Sequence, residues 1–254
     1  MTRLAQAPLI EAIVEIRWGL AKKDSNGIHL NFTEDEANFF PGQFRATASN
    51  YGFTVTEKVN QPPFPHLINF RFRKAQDTWP CLQLGTGIFT VNQLNEGYDW
   101  QTFKPSVLEG IKILDKSHPS KIRGLSPLYV ELRYRDGFIL EENESSSQFL
   151  QSKLNFGFSP PDNFLKSPYL EDKPVAGHSI SFQVRAKKPE GVIIFSLNEA
   201  MINGKKGFVM DTVVRTEPIK LSFKFVDKWL EEAHTAQKHA FNTLIKPDFL
   251  KAFE

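Results

Sequence analysis

The sequence predicts an α+β fold: antiparallel sheet with helices packed on one face, built as two similar strand–helix–strands–helix halves. Three patterns carry this. Residues 8–18 and 128–135 alternate apolar and charged side chains with a period of two, as a strand with one wet face does. Residues 98–116 and 222–244 repeat apolar residues at three- and four-residue spacing, as an amphipathic helix does. Between them lie short apolar runs punctuated by Gly, Asn and Pro turn pairs.

Taken in order, the first strand turns Ile10, Ala12, Val14, Ile16 and Trp18 one way and Glu11, Glu15 and Arg17 the other. A turn follows at Asn26-Gly27. Thr33 can cap a helix, with Glu36 at the reciprocal capping-box position; Phe39, Phe40 and Phe44 supply its apolar face, and Pro41-Gly42 should bend or split it. Strands are expected at 52–59, 66–74, 80–85 and 87–94, the last two joined through Gly85-Thr86-Gly87. The helix at 98–116 carries Trp100, Phe103, Val107, Leu108, Ile111 and Leu114, with Pro105 read as its first turn and His118-Pro119-Ser120 as its end. The second half opens with Leu128, Val130, Leu132 and Tyr134 facing in, Glu131, Arg133 and Arg135 facing out, and Asp136-Gly137 closing the strand. A short helix is expected near 146–155, an irregular arm at 156–176 with Pro160, Pro161, Pro168 and Pro174, strands at 178–187, 191–199 and 207–215, and the terminal helices at 222–244 and 247–253.

The order of elements is stated twice, so the expected division is 1–120 and 121–254. Pro8-Leu9 leading to Glu15-Ile16-Arg17-Trp18 parallels Pro127-Leu128 leading to Glu131-Leu132-Arg133-Tyr134. Two readings stay open: an internal duplication, or two unrelated halves whose half-wet strands each end in an aromatic.

At 254 residues with 41% hydrophobic content, the chain can bury a full core without staples. Its 23 Phe should mostly be core, having no polar tip to satisfy. A net charge of +2 is too near neutral to announce a polyanion or an anionic membrane. The single Cys81 excludes an intrachain disulfide and a Cys-based zinc site and fits a reducing compartment. Glu11, Glu15 and Arg17 break any signal-peptide core, and no apolar run is long enough to span a bilayer, so a cytoplasmic location is expected.

No catalytic, cofactor or metal constellation stands out. His234 and His239 are five residues apart, which turns them about 140° around a helix axis. Glu231 and His234 have Glu-x-x-His spacing, but the second copy that a di-metal bundle needs is lacking. His234 is therefore expected to contact a neighbouring strand. Gly-x-Ser-x-Gly is absent, Cys81 opens an apolar strand as an inert thiol, and His178 and Ser179 point to opposite faces of theirs. Gly85-Thr86-Gly87 lacks the remainder of a dinucleotide or phosphate loop. Glu11 and Glu15 lie about 13 Å apart on one strand, too far for an acid/base pair; Arg17 and Arg133 should pair with such carboxylates across strands.

Two sets of residues are candidates for binding. Arg71, Arg73, Lys74, Arg133, Arg135, Lys187 and Lys188 project from strands or hairpin tips and would form a basic stripe if those strands share a sheet, with Tyr51, Phe53 or Tyr134 nearby for base stacking. A duplicated unit of this kind resembles the TATA-binding-protein saddle, whose sheet covers a minor groove. Against that, Glu11, Glu15 and Glu131 balance the face, and the net charge favours an ordinary solvated surface. The second set is Phe64, Phe156, Phe158, Phe164 and Tyr169, in Pro-rich segments too irregular for core strands; each either marks a docking surface or tucks back onto the domain.

Several stretches together resemble a known group. They are Ala7-Pro8-Leu9-Ile10-Glu11-Ala12-Ile13-Val14-Glu15-Ile16-Arg17, then Phe89-Thr90-Val91-Asn92 with Tyr98-Asp99-Trp100 and Phe103, then Val209-Met210-Asp211, and Trp229 through Ala233-His234 to Phe241. Their order and spacing are similar to the sporadically distributed bacterial TIGR04255 family, nearly end to end. The family's usual Arg-Tyr-Ile-Asn element departs here to Arg133-Tyr134-Arg135-Asp136. The resemblance implies no established activity, and the family's patchy distribution is typical of mobile accessory genes, anti-phage loci among them. The expected function is a non-catalytic binding, sensor or adaptor subunit of a bacterial multi-protein system such as phage defence, without cofactor. Its partner would be a protein encoded nearby, or a second copy of the chain in a homo-oligomer. The alternatives are a nucleic-acid-binding sheet face and an enzyme with its site in the cleft between the halves.

Overall fold

The computed structural model describes residues 7–19, 22–24, 27–29, 32–62, 64–121, 125, 128–156, 162–171, 177–220 and 222–253. Asn26, Pro127, Phe158, Pro160, Pro161 and Pro174 lie outside them.

The fold is α+β, with one open antiparallel sheet of nine strands and helices on one side. Its strands are β1 (Leu9–Arg17), β4 (Val55–Lys58), β5 (Phe70–Arg73), β6 (Cys81–Gly85), β7 (Ile88–Leu94), β8 (Tyr129–Ile139), β9 (Ser179–Lys187), β10 (Glu190–Ile202) and β11 (Lys205–Arg215). They lie in the order β4-β5-β6-β7-β1-β8-β11-β10-β9. A separate hairpin joins β2 (Lys22–Asp24) to β3 (Gly27–His29). In each half the opening strand pairs with the last strand of the meander that follows it, β1 with β7 and β8 with β11. The halves meet where β1 and β8 pair, from Leu9↔Asp136 to Arg17↔Tyr129. The meanders differ in strand number, and no duplication is established.

The turns follow from their residues. Asn203 and Gly204 both take positive φ, as a two-residue turn between β10 and β11 requires. Gly87 does the same between β6 and β7. Asp136-Gly137, by contrast, does not close a strand: β8 runs on to Ile139, which pairs with Gly207. Gly137 is held between β1 and β11, so ladder bonds on both sides outweigh its turn preference, and Ile10 packs over its bare Cα. Ile10 itself occupies a β-bulge between Leu9 and Glu11, which turns it away from the Ala12, Val14 and Ile16 face where period two had put it.

The helices are α1 (Glu34–Asn38), α2 (Phe40–Ser49), α3 (Trp100–Ser117), α4 (Ser146–Lys153), α5 (Asp162–Leu165), α6 (Phe223–Leu244) and α7 (Pro247–Leu250). Thr33 caps α1 in a full capping box with Glu36, and the chain breaks at Phe39 before α2 takes Pro41 into its first turn. Asp99 caps α3, so Pro105 lies inside that helix beyond its first turn.

The inward face of β7, β1 and β8 (Phe89, Val91, Ala12, Val14, Ile16, Val130, Leu132) packs with Phe44, Val107, Ile111, Val226 and Trp229 from the helices in one core. A second core joins Phe138, Phe195, Phe208 and Met210 of the sheet to Phe149, Leu150 and Ile245, with Phe149 stacked on Phe208 at 5.0 Å. Two polar devices bind helices to sheet. Glu36 takes hydrogen bonds from Trp18 Nε1 at 3.0 Å and His118 Nε2 at 2.9 Å; Ser120 N–H donates to His118 Nδ1, so the imidazole is the Nε2–H tautomer. Burial lowers the pKa of His118 against the pull of Glu36. His234 of α6 stacks on Trp100 at 4.1 Å, and its Nδ1 bonds Tyr134 Oη at 2.6 Å, which in turn bonds Tyr98 Oη at 2.5 Å. His234 thus contacts the neighbouring strand β8.

Candidate functional site

On the open side of the sheet the centre is a charged seam across β7, β1, β8 and β11. It arises because the period-two pattern puts Glu11, Ile13, Glu15 and Arg17 of β1 on the face away from the core, and Glu131, Arg133 and Arg135 of β8 beside them. Glu15 stands opposite Glu131. Like charges so placed repel, and each carboxylate is met by arginine. Arg17 Nε donates to Glu15 at 2.5 Å. Glu131 takes Arg133 at 3.2 Å on one oxygen and Arg215 on the other. Arg215 also lies over the Tyr129 ring at 5.2 Å. These side chains close over Glu131, leaving it 1% exposed on the side of the sheet away from the packed helices.

The rows on either side continue the pairing. Arg135 grips Asp211 with two hydrogen bonds, at 2.9 and 3.2 Å, and this bonding, which outweighs its desolvation, raises the pKa of the guanidinium. Asn92 donates to Glu11 at 2.6 Å and accepts from Thr90 at 2.5 Å. Further along the row of Glu15, Arg71 pairs with Glu57 at 3.3 Å. Five of the residues that carry the family resemblance, Glu11, Glu15, Arg17, Asn92 and Asp211, therefore meet in this seam.

No protein-family model, curated protein or solved structure matches the chain. The site must be read from its own residues.

Of the basic residues named from the sequence, Arg71, Arg133 and Arg135 reach the open face, each with a carboxylate partner. Arg73 is buried with its guanidinium carbon over the Trp79 ring, 4.4 Å from the centroid, and donates to Thr78 O. Lys74 turns toward the helices, onto Glu109 at 3.1 Å and the Phe53 ring. Lys188 is 3.8 Å from Glu232 of α6, and Lys187 is exposed at the far edge of β9. One continuous basic stripe does not form. Nor do the proposed stacking platforms: Phe53 is buried, Tyr134 faces α6, and the Tyr51 hydroxyl bonds Lys116 of α3.

Among the aromatic candidates, Phe64, Phe164 and Tyr169 are exposed, whereas Phe156 tucks back edge-on against the stacked pair Phe182 and Phe195, at 6.2 and 5.0 Å. Cys81 is buried, its thiol pushed up to about 11 by desolvation. Among the described residues no group of three or more His, Cys, Asp or Glu is placed to hold a metal ion. No described helix is long and apolar enough to cross a membrane. The partners Arg215, Asp211 and Asn92 were not identified from the sequence as parts of a site. Only the strand register brings them to Glu131, Arg135 and Glu11.

Proposed function

We propose that the chain is a binding subunit that docks a protein partner on the charged seam of its open sheet face, within a bacterial multi-protein system such as phage defence. One observation supports it above the others. The guanidinium groups of Arg17, Arg71, Arg133, Arg135 and Arg215 are all engaged by Glu15, Glu57, Glu131 or Asp211, which leaves a broad face that is polar, ordered and close to neutral. A polyanion is held by uncompensated cations whose counterions it displaces. A paired network instead suits a protein surface of alternating acidic and basic groups, because its side chains are already ordered before contact. The resemblance to a family of accessory bacterial proteins points the same way.

The test is a pull-down with the products of flanking genes, using the wild-type chain and an Arg135→Asp/Asp211→Arg double variant. The swap keeps the internal pair and reverses the pattern shown to a partner. Recovery of a complex with wild type and its loss with the swap is the expected result. Recovery of the chain alone as a monomer, or salt-sensitive retention on duplex or single-stranded DNA, would replace this reading with another.

A further inference from the structure

The helix-covered side holds a second constellation, remote in kind from the seam and independent of its role. His178 lies one residue before β9, opposite Glu199 of β10, whose N–H donates to His178 O at 3.1 Å. That parity puts both side chains on one face and sends Ser179 to the other, where its hydroxyl bonds Asn198 at 2.7 Å. His178 Nδ1 is 2.7 Å from Glu199 Oε1, so the ring proton sits on Nδ1 and Nε2 is left as the acceptor. Nε2 faces Ser147 Oγ at 3.4 Å. Apo contacts of this kind are commonly longer than in a substrate complex. The three groups therefore have the order hydroxyl, base, orienting carboxylate.

Three further features suit chemistry there. Ser147 is the second residue of α4, whose Ser145 cap already occupies the Gln148 N–H. The N–H groups of Ser146 and Ser147 have no acceptor within the helix and lie at its positive end. A cavity of about 490 Å³ adjoins, lined by Ser146, His178, Glu199, Met201 and Lys206 among others. All its lining residues belong to 146–207, so it lies within the C-terminal half and not in a cleft between halves. The imidazole is largely enclosed, at 13% side-chain exposure, while Glu199 keeps 30%.

We propose that Ser147, His178 and Glu199 form a nucleophile, base and orienting carboxylate that hydrolyse a small carboxylic ester bound in this cavity. Ser147 Oγ bonds to the ester carbonyl carbon as its proton passes to His178 Nε2. The carbonyl oxygen becomes an alkoxide facing the first-turn N–H groups of α4. When the intermediate collapses, the carbon–oxygen bond to the alcohol breaks and His178 returns the proton to that oxygen. Water, deprotonated by the same nitrogen, then cleaves the acyl-serine ester, releasing the carboxylic acid and restoring the hydroxyl. Glu199 holds the tautomer that leaves Nε2 free. Lys206 offers a cation to an acyl chain that ends in a negative group.

The experiment treats the purified full chain with a fluorophosphonate probe and locates the adduct by peptide mass spectrometry. The expected result is phosphonylation of Ser147, reduced at least about tenfold in His178→Ala and in Glu199→Gln. Turnover of p-nitrophenyl acetate should fall to background in Ser147→Ala. The wild-type chain decides the matter without any variant: no adduct, or an adduct elsewhere, overturns the proposal. Turnover that persists in a folded Ser147→Ala chain does the same. Neither result touches the partner-docking reading, which concerns the opposite face.

Discussion

Glu15 and Glu131 face each other across the junction of β1 and β8, and each is answered by the arginine two residues further along its own strand, Arg17 or Arg133. The symmetry ends there. Glu131 also takes Arg215 from β11, while the other neighbour of Glu15 is Thr90 of β7. Glu131 is thus the more enclosed and the more heavily bonded carboxylate.

Removing it should cost correspondingly more. Glu131→Gln leaves Arg133 and Arg215 without their anion, and we expect a loss of about 2–3 kcal/mol in urea unfolding. Either change relieves the facing repulsion, but Glu15→Gln releases only the partly exposed Arg17, so its loss should stay below about 1 kcal/mol. Equal losses would mean that Arg215 adds nothing to the seam.

Gln237 of α6 is buried, and its Nε2 donates to Leu132 O of β8 and Thr212 O of β11, both at 2.6 Å. One side-chain amide thus bonds both strands at the centre of the C-terminal half. Gln237→Leu should cost about 1–3 kcal/mol because two carbonyls lose a donor in a dry site. Gln237→Glu should do worse at neutral pH, where a carboxylate facing two carbonyl oxygens can only repel them, and should recover partly in acid, where its protonated form donates once. Urea midpoints at the two pH values would show this; a pH-independent loss would indicate that the side chain swings away from the strands.

Gly110 sits where α3 crosses the sheet. A methyl there would meet Phe89 Cζ and Val91 Cγ2 at 3.0 Å and Leu82 Cδ2 at 3.1 Å. Alanine improves helix propensity by about 1 kcal/mol, but overpacking against three converging side chains costs about 1–3 kcal/mol. Gly110→Ala should therefore lower the unfolding midpoint. A rise would show that α3 lifts off the sheet at little expense.

How far these features were legible in the sequence depends on distance along the chain. Arg17 and Arg133 are expected from the sequence to pair across strands, yet each meets the glutamate two residues back on its own strand, Glu15 or Glu131, because residues two apart share a face. The capping box of Thr33 and Glu36 is equally local. Arg135 with Asp211, and Arg215 with Glu131, need the β8–β11 register, which no turn signal in the sequence specifies. Asp136-Gly137 misled for the same reason, because a turn dipeptide flanked by two strands is held extended by pairing that its own residues do not encode. At His178 the adjacent Ser179 was rightly excluded, while the hydroxyl that does face the ring belongs to Ser147 on another element.

Asp136 and His234 should give the stability two opposed slopes with pH. Burial, and secondarily the charge of Asp211, pushes Asp136 up to about 7. The folded chain then keeps a proton between about pH 4 and 7 that the unfolded chain has lost, so stability falls as pH rises through that window. Burial, and secondarily Lys238, lowers His234 to about 4. Here the unfolded chain takes a proton between about pH 6.5 and 4 that the folded chain refuses, so stability falls as pH drops. The two contributions oppose each other across the same range and flatten the wild-type profile. Asp136→Asn removes only the first, so the variant should match wild type near pH 4 and gain on it steadily up to about pH 8. His234→Phe keeps the ring stacked on Trp100 and removes only the second, so it should lose the acid-side decline even if its baseline is lower. Urea unfolding at intervals across the range would separate them. An Asp136→Asn curve parallel to wild type would mean that the Asp136 carboxylate is charged in the folded chain at neutral pH, and that water or a cation reaches it.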